Sequence, residues 1–151
     1  MEQSSSNPKQ EETIIQRFAR EKVEWREIIE GMSDKMKVID DLIMLEVEVF
    51  SQRQRCIEYM HKLIAVSGKV NREYKELLRD RIIFYSESYN IRLDKHQKIH
   101  FAEVDLADKV AQKELVYSHL DYMKATLDTI DKIIYGIKWR IQVEEFKKIR
   151  T

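Results

Sequence analysis

Residues 42–85 read LIMLEVEVFSQRQRCIEYMHKLIAVSGKVNREYKELLRDRIIFY. Leu42, Val49, Cys56, Leu63, Val70, Leu77 and Phe84 stand seven residues apart, and every one is apolar. A flanking series, Ile43, Phe50, Ile57, Ile64, Leu78 and Tyr85, keeps the same interval and fails only at Asn71. An apolar repeat of seven held in phase marks a helix that buries one stripe against another helix. The phase passes through Ser67-Gly68 unbroken, so the pattern predicts one helix over about 33–88, roughly 80 Å long at ~1.5 Å per residue. Ser33 or Asp34 would cap its start.

On the N-terminal side, residues 1–10 have the composition of a disordered tail. From about 11 to 30 an amphipathic helix is expected, with Ile14, Ile15, Phe18, Trp25, Ile28 and Ile29 on one broad face and Gly31 as its end. On the C-terminal side, residues 88–100 (SYNIRLDKHQKIH) lose the period and read as a polar connector. A third helix is expected over about 101–149. Within it Leu120, Met123, Leu127, Ile130, Ile134, Ile137 and Ile141 alternate steps of three and four, the spacing of a coiled-coil seam. Gly136 inside that seam suggests that another backbone comes close.

Composition agrees with an all-α chain. There are three glycines and one proline, and 36% of residues are charged against 43% hydrophobic. The reading is one helical domain over 11–151, a long hairpin with an N-terminal amphipathic helix. The second helix is longer than the third can cover, so apolar surface is left over. That predicts a homo-oligomer, with the third-helix seam as the oligomerisation stripe. No apolar run approaches the ~20 residues of a bilayer span, so no membrane association is expected. The polar start lacks the apolar segment of a signal peptide, and a single cysteine cannot form an intrachain disulfide. Both point to a soluble cytoplasmic protein.

Catalytic and metal-binding patterns are thin. Glu58 and His61 have the Glu-x-x-His spacing of helical di-metal sites, but such sites need a second copy of the motif. His96 and His100 are four apart with no evident third ligand. Cys56 lies on the apolar stripe and reads as a small buried hydrophobe. Asp105/Asp108 and Asp128/Asp131 read as solvated helix faces. No glycine-rich phosphate loop is present. No catalytic residue, metal or cofactor is assigned, and the chain is not expected to be an enzyme.

The charge distribution is more informative. Net charge is zero, but residues 61–100 carry nine Lys/Arg against five Asp/Glu, while residues 1–60 carry nine against thirteen. Arg72, Lys75 and Arg79 fall on one helix face, Arg81 follows, and Phe84 and Tyr85 lie just beyond. Cations at helical spacing next to aromatic rings suit a single-stranded nucleic acid, whose phosphates meet the cations and whose bases stack on rings. The plainer alternative is that Glu73, Glu76 and Asp80 pair with these bases along the helix. Arg81 continues the series Met60, Ser67, Tyr74 beside the apolar stripe, where a charge needs a partner or solvent.

The run LRDRIIFYS (Leu78–Ser86) resembles a segment of the UvsY-type recombination mediators of T-even-like phages, in which two basic residues precede an aromatic pair and a serine. The stretch DLADKVAQKELVYSHLDYMKATLDTIDKIIYGIKWRIQVEEF is similar to that family's closing helix, and the likeness covers about residues 40–150. Glu87 stands where many relatives have glycine, and the first 30 residues look like an extension. The resemblance implies an all-helical, ring-like homo-oligomer that binds single-stranded DNA. It would help a phage recombinase displace the phage single-strand-binding protein, in homologous recombination, repair and replication. It also implies that Arg79 and Arg81 contact DNA, and that the compartment is the host cytoplasm. The expected nucleic-acid-binding set is Arg72, Lys75, Arg79, Arg81, Phe84 and Tyr85. The competing expectation is a coiled-coil scaffold or virion component that binds no nucleic acid.

Overall fold

A computed structural model describes residues 12–150 as four α-helices joined by short connections. They are α1 (Ile14–Lys35), α2 (Leu42–Glu87), α3 (Lys95–Asp105) and α4 (Ala107–Arg150), with a 3-10 turn at Ile39–Asp41. No strand occurs among the described residues. The expected tail at 1–10 lies outside them. No helix there is long and apolar enough to cross a membrane.

α2 and α4 run antiparallel, as the cross-links along their length show. Lys109 reaches Glu73 (2.5 Å), Arg53 reaches Asp131 (2.7 Å), and the Cys56 thiol donates to the Met123 carbonyl (3.6 Å). α1 lies against the proximal half of this pair, so that half is a three-helix bundle and the distal half is a hairpin. The core follows that division. Phe18, Trp25 and Met32 of α1 meet Leu42, Leu45, Val49, Cys56 and Leu63 of α2 and the apolar face of α4.

Several boundaries differ from the sequence expectation. α1 begins at a capping box in which Thr13 and Gln16 bond each other's backbone N–H, and it runs through Gly31 to Lys35. Phe18, Trp25 and Met32 are seven apart and at most 4% exposed. Gly31 costs about 1 kcal/mol against alanine. Burying the Met32 side chain contributes about 2 kcal/mol, so the helix continues. Ile15, expected on the buried face, is 65% exposed.

Ser33 and Asp34 therefore lie within α1 and do not cap α2. The chain turns at residues 36–41, and Arg140 of α4 holds the turn by donating to the Met36 carbonyl and to that of Lys37 (3.1 Å). A cation on the orphan carbonyls at a helix C-terminus complements the helix dipole. Gly136, one turn before Arg140, admits the side chain of Met36, whose Cε would lie 2.6 Å from an added Cβ. The close approach is made by a side chain, not a backbone.

The connector expected at 88–100 is half helical. Asp94 and Gln97 form a second capping box that starts α3. α3 breaks at Leu106 (φ −102°, ψ 17°) before α4.

The third-helix seam is used inside the chain. Leu120, Met123, Ile130, Ile134 and Ile137 are buried in the core, with Leu127 and Ile141 packed at its edge. The residues expected to join subunits instead hold α4 to α1 and α2, because α1 supplies the apolar surface that a second copy was expected to provide. On α2, Leu42, Val49, Cys56, Leu63 and Val70 are buried, but Leu77 and Phe84 are 42% and 37% exposed. A straight helix drifts about 20° per heptad from a seven-residue repeat, or about 120° over six. Beyond Val70 the inward face has passed from that stripe to the side of Ser67 and Tyr85.

Candidate nucleic-acid interface

That drift decides where Arg81 points. It shares the inward series of Ser67 and Tyr74, and α3 supplies its partner. Arg81 donates from Nε (2.9 Å) and Nη2 (2.6 Å) to one carboxylate oxygen of Asp105, and the Tyr85 hydroxyl donates to that same oxygen (2.5 Å). The guanidinium also lies over two rings, 4.5 Å from the Phe84 centroid and 5.3 Å from that of Tyr85. The Tyr85 and Arg81 hydrogen bonds hold the Asp105 carboxyl below the usual carboxylate range. Asp105 in turn raises the pKa of the Arg81 guanidinium and the Tyr85 phenol.

Arg72, Lys75 and Arg79 stand differently. All three are exposed on the outer side of α2. Arg79 is 73% exposed and lies 3.8 Å from Asp80, itself well exposed, an arrangement worth little in water. Glu73 turns to Lys109 of α4, which lowers its pKa, and makes no ion pair along its own helix. Of the six residues expected in the site, three cations form an open row. Arg81, Phe84 and Tyr85 form a joined cluster at the hairpin tip.

Other residues, not expected from the sequence, complete that tip. Tyr89 lies 5.1 Å from Tyr85 and 6.3 Å from Phe84, between ring centroids. Phe101 of α3 lies 5.7 Å from Tyr85 and 6.4 Å from Tyr89. Arg92 and Lys95 are exposed on the connector and the first turn of α3. The Asp94-x-x-Gln97 box could have shown that a helix begins there. Nothing in the spacing shows that Phe101 folds back onto Tyr85.

The remaining candidates resolve into packing or surface. Cys56 is fully buried, and burial pushes its thiol up to about 11, far from a thiolate. Glu58 and His61 are exposed, as are His96 and His100, which sit one turn apart on α3. No group of three or more His, Cys, Asp or Glu side chains converges among the described residues. Asp131 bonds Arg53, and Asp128 bonds Lys132.

A second polar cluster lies inside the three-helix half. His119 is 1% exposed and stacks on Phe18 at 4.0 Å, with its Nε2 2.8 Å from Glu21. The Tyr59 hydroxyl donates to the same Glu21 oxygen, and His119 Nδ1 has no partner. This cluster ties α1 to α2 and α4 through one carboxylate. Burial lowers the His119 pKa, against the opposing pull of Glu21.

No protein-family model, curated protein or solved structure matches the chain.

Proposed function

We propose that the chain is a single-stranded-DNA-binding recombination mediator that acts as a homo-oligomer and carries out no catalysis. The observation that carries this reading is the exposed row Arg72, Lys75, Arg79 on α2, the helix whose far end contributes to the ring cluster of the hairpin tip. Such a row meets a phosphate chain without reading sequence, and exposed rings farther along the strand's course receive bases. The likeness of LRDRIIFYS to the UvsY-type segment supports the same reading and supplies the biological role. In that role the protein loosens a phage single-strand-binding protein and loads a phage recombinase, in recombination, repair and replication within the host cytoplasm.

Each subunit contributes a modest patch. Several subunits in a ring gain avidity because each later contact on one strand is intramolecular. With the α4 seam used internally, self-association falls to other apolar surface. Tyr135, Trp139, Phe146 and Ile149 on α4 are 72%, 69%, 57% and 82% exposed, and Ile43 and Val47 on α2 are 75% and 68% exposed. Trp139→Glu with Phe146→Glu is expected to lower the native mass toward that of one chain and to weaken DNA binding through lost avidity. Light scattering of the variant checks this, and an unchanged mass removes α4's outer face from the interface.

The test of the main reading is anisotropy of a labelled oligothymidylate titrated with salt. Binding should weaken with a log–log slope of about −0.7 per neutralised phosphate. An oligomer that binds no oligonucleotide at low salt overturns the reading and leaves the coiled-coil scaffold.

A further inference from the structure

We propose that Phe84, Tyr89 and Phe101 form a base-stacking platform at the hairpin tip, and that Arg81 positions this platform and leaves the phosphates to other cations. The proposal rests on the nucleic-acid reading above and specifies how the site divides its work.

The rings are arranged around one buried hub. Tyr85 is 9% exposed and touches Phe84, Tyr89 and Phe101, which keep 37%, 40% and 38% of their surface in water. A hub fastened by a 2.5 Å hydrogen bond to Asp105 holds the three outer rings in place while leaving them accessible. Tyr85 itself is too covered to receive a base. The outer rings come from three separate segments, the end of α2, the connector and α3, so only the folded tip assembles them.

Arg81 is engaged on two sides. Its Nε and Nη2 both donate to Asp105, and its Cζ lies over the Phe84 ring, 4.5 Å from the centroid. Its charge is already matched by the Asp105 carboxylate 2.6 Å away, so a phosphate drawn to Arg81 also meets that anion. Arg72, Lys75 and Arg79 are exposed, Arg79 with only a loose 3.8 Å approach to Asp80, and Arg92 and Lys95 are exposed on the connector and α3. Phosphate neutralisation therefore falls to the open cations. Arg81 is a positioning residue that orients Phe84 and, through Asp105, joins α2 to α3.

The test uses the full chain and two labelled polymers of equal length and charge, an oligothymidylate and an abasic oligodeoxynucleotide. The unmodified protein should bind the thymidylate about tenfold or more tightly, within the range of base–aromatic stacking. Tyr89→Leu and Phe101→Leu should each narrow that preference several-fold and leave the salt slope unchanged. Arg81→Gln should narrow the preference at constant slope, and Arg81→Lys should restore part of it by keeping a cation over Phe84. A phosphate ligand would behave otherwise, losing about 0.7 from the slope on Arg81→Gln. Equal binding of the two polymers by the unmodified protein, which needs no variant to fold, overturns the platform alone. A slope loss on Arg81→Gln overturns the role given to Arg81. Failure of both polymers to bind overturns the nucleic-acid reading and the platform together.

Discussion

Replacing Arg72, Lys75 and Arg79 together by alanine is expected to weaken oligothymidylate binding by ~30-fold or more at low salt. The salt slope should fall by about 2, from three phosphates at ~0.7 each. In the proposed ring the loss should exceed the effect of the same patch on one chain, because every subunit on the strand would lose it at once. The three side chains are exposed and lie outside the core, so stability should move by no more than about 0.5 kcal/mol. A thermal melt and a native mass separate lost binding from lost fold. If the triple variant binds as the unmodified protein does while remaining assembled, the row on α2 is not the strand's path.

Truncating His119 is expected to produce the largest change in stability. His119→Ala removes a buried ring stacked on Phe18 and one partner of Glu21, at a cost of about 3 kcal/mol. The same residue makes the fold sensitive to mild acid. Burial sets its folded pKa below the unfolded value of about 6.5, so the native state favours the neutral ring. Its contribution is therefore complete above that value and declines as pH falls below it, since the unfolded chain then binds the extra proton. Once pH is below the folded pKa as well, the loss levels off. Melting curves between pH 7.5 and 5 should show this decline. It should flatten in His119→Gln, which keeps an N–H for Glu21 and does not titrate. An equally steep decline in His119→Gln would place the acid sensitivity elsewhere.

Much of the architecture could be read before any coordinates. The seven-residue stripe from Leu42 and the three-four seam from Leu120 to Ile141 are properties of a single helix. They mark α2 and α4 as long amphipathic rods whatever they pack against. The boundaries that failed were decided by partners. Gly31 stays helical because Met32 has a core to enter, and the turn at 36–41 is held by Arg140, about a hundred residues away in sequence. α3 was hidden because it buries only Ala102 and carries almost no periodicity, although its capping box stood in the sequence.

The candidate site divides in the same way. The row Arg72, Lys75, Arg79 was legible because helical spacing alone puts three residues on one face. The destination of Arg81 was not, because it depends on how far a straight helix drifts from its own repeat and on which carboxylate waits at the end. Local periodicity determined the long helices, most of their apolar faces and the open cations. Tertiary structure decided that the α4 seam closes on its own chain, that Asp105 takes Arg81, and that Tyr89 and Phe101 join Phe84. The reason is physical: a helix's faces follow from the residues along it, whereas what covers a face depends on groups brought together only when the chain folds back on itself.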